Sequence, residues 1–236
     1  MDAIVMIHGF MENSSQFDRL AQALAGPGRA CIRVVLPGHE ADIREFRRNG
    51  RRQWRTHVRQ TVGQICRRYD RVLLIGHSMG GLLALDAAEV CPVLGVVAVG
   101  FPLFARITWR AIRYRAAMLG RPKGGDGPEI AAVRAFCGVG GITVWNVLSL
   151  IPNTVGLLQE MAAGRKKLSG AKTPLTVVNS DNDEIVSRRS AAFVEKHLPT
   201  AKVLRLNRAS HFHYPEEELQ EIVRCAEAFL CGEAVQ

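Results

Sequence analysis

Ser78 lies in Gly76-His77-Ser78-Met79-Gly80, a run of the form G-x-S-x-G. The residues before it, Arg71-Val72-Leu73-Leu74-Ile75, read as a short buried strand, and those after it, Leu82 to Glu89, read as a helix. Glycines on both sides of a serine let the chain turn sharply from strand to helix, which pushes the hydroxyl out at the top of a sheet. The helix start behind it offers free N–H groups and the positive end of a dipole. A serine so placed is suited to attack a carbonyl carbon.

Such a nucleophile needs a base and a group to orient it. Leu175-Thr176-Val177-Val178-Asn179-Ser180 reads as another buried strand, and it runs into Asp181-Asn182-Asp183-Glu184-Ile185-Val186. Lys202 to Asn207 reads as a strand leading to Ser210-His211-Phe212-His213. The chain order is then serine, acid, histidine, one of the orders in which this triad occurs. The histidine takes the serine proton, and the carboxylate holds the imidazole tautomer. Near the N-terminus, the apolar strand Ala3-Ile4-Val5-Met6-Ile7 ends in His8-Gly9-Phe10. The backbone N–H groups of Phe10 and Met79 are expected to form a two-donor oxyanion hole.

Taken together, His8-Gly9-Phe10, Leu36-Pro37-Gly38-His39, Trp54, Gly76-His77-Ser78-Met79-Gly80-Gly81, Asp183-Glu184-Ile185-Val186 and Ser210-His211 resemble the α/β-hydrolase superfamily. Within it, the chain is most similar to small bacterial carboxylesterases and monoacylglycerol-lipase-like serine hydrolases. The resemblance covers nearly the whole chain except about residues 101–172. It implies an α/β-hydrolase fold: a mostly parallel sheet of about six strands, flanked by helices, with an inserted helical cap. It also implies Ser78, Asp183 and His211 as the triad. Asp183 is preferred to Asp181 because Ile185-Val186 follows it, and His211 to His213 because it follows the small Ser210. Met1 stands almost directly before the family's third strand, so its first two strands have no counterpart here.

The elements that must position these residues are legible as an alternation. Residues 3–8, 31–36, 72–76, 94–99, 175–180 and 202–207 are strand-like, and 15–26, 53–68, 80–90, 188–197 and 215–231 are helical in pattern. That rhythm implies a parallel sheet with helices on both faces. In the family's own strand names the order would be 4-3-5-6-7-8. The expected division is a first core part at 1–100, a cap at 101–172 and a second core part at 173–236. In the cap, Ile107, Tyr114 and Met118 recur at helical spacing opposite Arg106, Arg110 and Arg113, an amphipathic pattern. Lys123-Gly124-Gly125-Asp126-Gly127-Pro128 reads as a hinge. Residues 135–159 carry no charge, yet Gly138, Gly140, Gly141, Pro152 and Gly156 interrupt them too often for a membrane span. They are expected to form cap helices that contact an acyl chain through Trp145, Leu148 and Ile151.

The lesser motifs read as structural. His77 should leave the elbow in a different direction from Ser78. His8 orients its loop, His39 shapes a turn, and Trp54 heads a helix whose Val58, Val62 and Ile65 face a core. The six cysteines match no zinc spacing and read as reduced thiols, and the N-terminus has no signal-peptide pattern, so a cytoplasmic protein is expected. No cluster of His, Asp and Cys suggests a metal, and ester hydrolysis on serine needs no cofactor.

The formal net charge is +9, and the basic residues cluster: ten arginines fall within residues 44–71. A basic rim would suit weak contact with anionic lipid or an acidic carrier protein. No nucleic-acid module is recognisable. The expected activity is hydrolysis of a small-molecule carboxylic ester through an acyl-enzyme on Ser78. One alternative is a type II thioesterase-like enzyme, which Leu36-Pro37-Gly38-His39-Glu40 also resembles. The other is a non-catalytic ligand-binding protein on the same fold.

Overall fold

The computed structural model describes residues 1–119 and 127–233. In chain order the strands are β1 (Asp2–Ile7), β2 (Arg29–Val34), β3 (Ala41–Asp42), β4 (Arg71–His77), β5 (Gly95–Val99), β6 (Val139–Gly140), β7 (Leu175–Ser180) and β8 (Lys202–Leu206). The helices are α1 (Asp18–Leu24), α2 (Ile43–Arg48), α3 (Arg51–Cys66), α4 (Met79–Ala88), α5 (Trp109–Leu119), α6 (Pro128–Ala135), α7 (Ile151–Leu168), α8 (Arg189–His197) and α9 (Glu216–Leu230).

Six strands form one sheet in the order β2-β1-β4-β5-β7-β8, and every neighbouring pair is parallel. This matches the 4-3-5-6-7-8 order expected from the resemblance. The central strands β5 and β7 are buried along their whole length, and β4 along all but Arg71. A parallel sheet covered on both faces requires such continuous apolar runs. On β1, alternate residues serve opposite faces, as the period of a strand dictates. Ala3, Val5 and Ile7 join Trp54, Val58 and Val62 of α3 and Leu82 of α4, while Ile4 and Met6 join Leu20 and Leu24 of α1 and Ile222 and Phe229 of α9.

Residues 101–172 divide into two parts. Tyr114 of α5 and Ile130 and Val133 of α6 form a small apolar cluster of their own, against Phe212. By contrast, α7 packs on α3 and α4 as part of the main core. The seam is ionic: Arg51 and Arg55 of α3 bind the buried Glu160 of α7, and Arg55, Arg59 and Lys167 bind the buried Asp86 of α4. These arginines belong to the cluster read as a basic rim, and the structure gives them internal partners instead.

Other differences have local causes. Helix α2 was not foreseen; Asp42 caps it, its carboxylate accepting the N–H groups of Arg44 and Glu45. The short β3–β6 ladder ties the loop after β2 to the inserted segment. The uncharged stretch becomes β6, a 3₁₀ turn at Val147–Leu150 and the start of α7. Trp145, Leu148 and Ile151, expected to contact an acyl chain, are 91%, 72% and 56% exposed. Helix α7 docks through its Met161–Gly164–Leu168 side instead. No helix among the described residues is long and apolar enough to cross a membrane. The Met118 side chain and residues 123–126 of the expected hinge lie outside the described residues.

Candidate active site

Strand β4 hands over to α4 at Ser78, which has φ 52° and ψ −123°. A non-glycine residue in that region stores strain on the order of 1–3 kcal/mol, held in place by its surroundings. The surroundings here are tight. A Cβ on Gly80 would lie 2.0 Å from the carbonyl oxygen of Ile7, and one on Gly76 would lie 2.4 Å from that of Gly80. The Ser78 N–H donates to the Val99 carbonyl at 2.8 Å, which anchors the elbow to β5.

The acid and histidine arrive on the loops after β7 and β8. His211 is buried, and its Nδ1–H donates to Asp183 Oδ2 at 2.8 Å. Asp183 Oδ1 accepts the N–H groups of Ile185 and Val186, each at 2.7 Å. Burial alone would raise the Asp183 carboxyl, but the His211 charge and hydrogen bond, with those two N–H groups, hold it below its ordinary range. Asp181 is turned away toward Arg188, 3.5 Å distant. His213 meets the same loop through its backbone: its N–H donates to Ser210 Oγ and its carbonyl accepts the Ser210 N–H. The loop of Asp183 is itself fixed from the insertion: Arg106 donates to its carbonyl, and Thr108 Oγ1 to that of Glu184.

Met79 is the first residue of α4, and Phe10 lies in the loop after β1. Neither N–H forms a turn, loop or cap hydrogen bond among the described residues. The Phe10 ring packs edge-on to Phe46 and Trp54. His8 accepts the Leu36 N–H on Nε2, and His39 accepts the Met11 N–H on Nε2. Both therefore shape the loops around Phe10.

Sequence reading missed two buried acids. Glu184 accepts the His211 N–H at 3.1 Å, and burial pushes its carboxyl up. Glu12 accepts Gly9 N–H, Gln16 Nε2–H and His77 Nδ1–H on Oε2, at 2.6, 2.8 and 2.8 Å. Its other oxygen stands 3.8 Å from His211 Nε2. The signal for Glu12 was faint: one acid in the run His8-Gly9-Phe10-Met11-Glu12. Ligand atoms of Glu12, His77 and His211 lie within 4.8 Å of one another, the spacing of a metal site. Here the Glu12 oxygen and both His77 nitrogens are already committed to hydrogen bonds.

Beside these groups lies a narrow apolar cleft, lined by Phe10, Met11, Ala111, Tyr114, Val133 and Phe212 among others. The insertion contributes to it through α5 and α6, and Trp145, Leu148 and Ile151 are not among its walls. A wider, more polar groove is lined by Ser14, Glu40 and Gly140, and a second narrow space, lined by Phe17, His77, His211, Phe212 and Tyr214 among others, reaches the histidine.

A parallel six-stranded sheet with a strained serine at a strand–helix elbow, and an acid–histidine pair on the next two strand ends, defines a hydrolase-type α/β architecture. Residues 4–224 match the Alpha/beta hydrolase family, and the chain belongs to it. A thermostable monoacylglycerol lipase from Bacillus sp. (strain H-257) is 27% identical over 218 residues, 88% of this chain and 82% of the relative. Among solved structures, one from a study of two metagenome-derived lipolytic enzymes superimposes with a TM-score of 0.72 at 18% identity, covering 98% of this chain and 94% of that one. A thioesterase domain from the curacin biosynthetic pathway superimposes with a TM-score of 0.61 at 17% identity, covering 98% and 91%.

Proposed function

We propose that the protein is a serine carboxylester hydrolase whose triad is Ser78, Asp183 and His211. The observation that carries this reading is the buried Asp183–His211 pair, with both Asp183 oxygens satisfied, on strand ends beside the strained Ser78 elbow. Ser78 Oγ attacks the ester carbonyl while His211 Nε2 takes its proton. The oxyanion is held by the N–H groups of Phe10 and Met79. His211 then gives the proton to the leaving alcohol. Water enters, loses a proton to the same nitrogen, and releases the acid from the acyl-enzyme.

The apolar cleft supports an acyl group as the part recognised, with α5 and α6 as the cover that bounds it. Each methylene buried there adds about 0.8 kcal/mol until the cleft is full, so efficiency should rise with acyl length and then fall. Short to medium acyl esters, including monoacylglycerol-like ones, fit that expectation. The test is a p-nitrophenyl ester series from acetate to palmitate, with fluorophosphonate labelling of wild type and Ser78→Ala. Labelling and turnover that vanish in Ser78→Ala support the reading. A folded wild-type protein that neither labels nor turns over any ester refutes it, and leaves the ligand-binding alternative. The likeness to a thioesterase domain favours one second reading, acyl-thioester hydrolysis by the same groups. Paired oxygen and thio esters of one acyl chain separate the two.

A further inference from the structure

The loop after β1 and the end of β4 carry a second acid–histidine pair, stacked on the first. The rings of His77 and His211 lie 4.8 Å apart, both buried. His77 Nε2 is 3.0 Å from the backbone carbonyl of His211. A carbonyl oxygen only accepts, so Nε2 must carry a proton. His77 Nδ1 is 2.8 Å from Glu12 Oε2, which already accepts two N–H groups. The His77 ring thus bridges the Glu12 carboxyl and the His211 backbone.

Burial would raise the Glu12 carboxyl, but the charge and hydrogen bond of His77, with His211 and Gln16, hold it down to about 2. Gly9 is shaped to the arrangement, since a Cβ there would stand 2.5 Å from Glu12 Oε2. The second Glu12 oxygen faces His211 Nε2 at 3.8 Å, on the opposite side of the ring from Asp183.

We propose that Glu12 and His77 are positioning residues for His211. Glu12 fixes the His77 ring, His77 tethers the His211 backbone, and the second Glu12 oxygen faces His211 Nε2, where it favours the protonated ring. The proposal rests on His211 being the catalytic base. The other groups facing the pair are Asp183 and Glu184 from the acid loop, Tyr214 from the histidine loop, and His8 and His39 from the strand ends. Tyr214 is a buried phenol pushed well above its ordinary value, so it carries no charge here. Burial keeps His8 and His39 neutral by lowering both. Asp183 and Glu184 remain in place when Glu12 is changed, so the contribution of Glu12 can be read separately.

The test is a ¹⁵N NMR titration of the histidine rings in wild type and Glu12→Gln, alongside the pH dependence of fluorophosphonate labelling at Ser78. Wild-type His77 should carry a proton on Nε2, hydrogen-bonded to the His211 carbonyl. The His211 midpoint should fall by roughly one pH unit in Glu12→Gln, and the acid limb of labelling should move down with it. A wild-type His77 without a proton on Nε2 overturns the proposal even if the variant fails to fold. So does an unchanged His211 midpoint in a folded Glu12→Gln. The ring signals require no substrate, so an absence of labelling would count against the esterase reading and not against this one.

Discussion

At the scale of single residues, the site is a balance of buried charges around two imidazoles. Burial would depress His211, but Asp183, Glu12 and Glu184 together push it up from 6.5 to about 9. Only the neutral ring can take the serine proton, so kcat/KM should climb with pH and reach half its plateau near pH 9. Turnover at pH 7 should then be about a hundredth of the alkaline plateau. A stopped assay from pH 6 to 10 measures this; a flat profile above pH 7 would show the base to be free much earlier. Stability runs the other way. A histidine raised in the folded state contributes fully below pH 6.5, and that contribution is lost as the pH rises through about 9. The assignment of the acid is also a single-residue matter. Asp183→Asn should lower kcat by roughly 10⁴, since it supports the wrong tautomer. Asp181→Asn should stay within a few-fold of wild type, because that side chain is turned to Arg188. Equal losses in the two variants would return the choice to the sequence alternatives.

At the scale of elements, the α3–α4–α7 seam shows why an arginine-rich helix need not be a binding face. Glu160 is buried, while its partners Arg51 and Arg55 keep a quarter to a third of their side chains in solvent. The two ends of this pair should therefore respond unequally. Arg51→Ala with Arg55→Ala leaves a buried, unpaired carboxylate and should destabilise by about 3 kcal/mol. Glu160→Gln frees two arginines that can reach water and should cost no more than about 1 kcal/mol. Urea unfolding of both variants decides it, and equal midpoints would mean the seam is held by packing alone. The pair α5–α6 has a different task. Val133→Trp should fill the cleft and shift the preferred ester to shorter acyl chains, with acetate turnover retained. An unchanged chain-length profile would place acyl recognition elsewhere.

At the scale of the whole molecule, the exposed apolar side chains gather on the insertion: Trp109, Val144, Trp145, Leu148 and Ile151 all stand in water. Exposed patches of this kind mark contact surfaces more often than chance. Together with the net charge of +9, they suit weak attachment to an anionic lipid surface. Trp145→Ser with Leu148→Ser should reduce sedimentation with anionic vesicles several-fold and leave hydrolysis of water-soluble esters unchanged. A shift in their chain-length profile would instead restore these residues to the acyl site. The interior of the site has the opposite character, with Glu12, Asp183 and Glu184 buried around His211.

The sequence by itself determined the six strands and the elbow at Ser78, and the order of the strands came through the resemblance. The strands and the elbow were legible because period, apolar runs and turn chemistry are local properties, readable within ten residues. Asp183 and His211 were legible through their loops and through resemblance, since a loop at a strand end must fall at the same sheet edge as the elbow. Tertiary structure alone decided which charges meet. Glu12 lies 65 residues from His77, and Glu160 lies 109 from Arg51. No periodicity records a contact across such a separation. It also decided the fate of the uncharged stretch. Absence of charge permits burial but does not supply a partner surface, and α7 found its partners in α3 and α4 through its other face, which left Trp145, Leu148 and Ile151 in water.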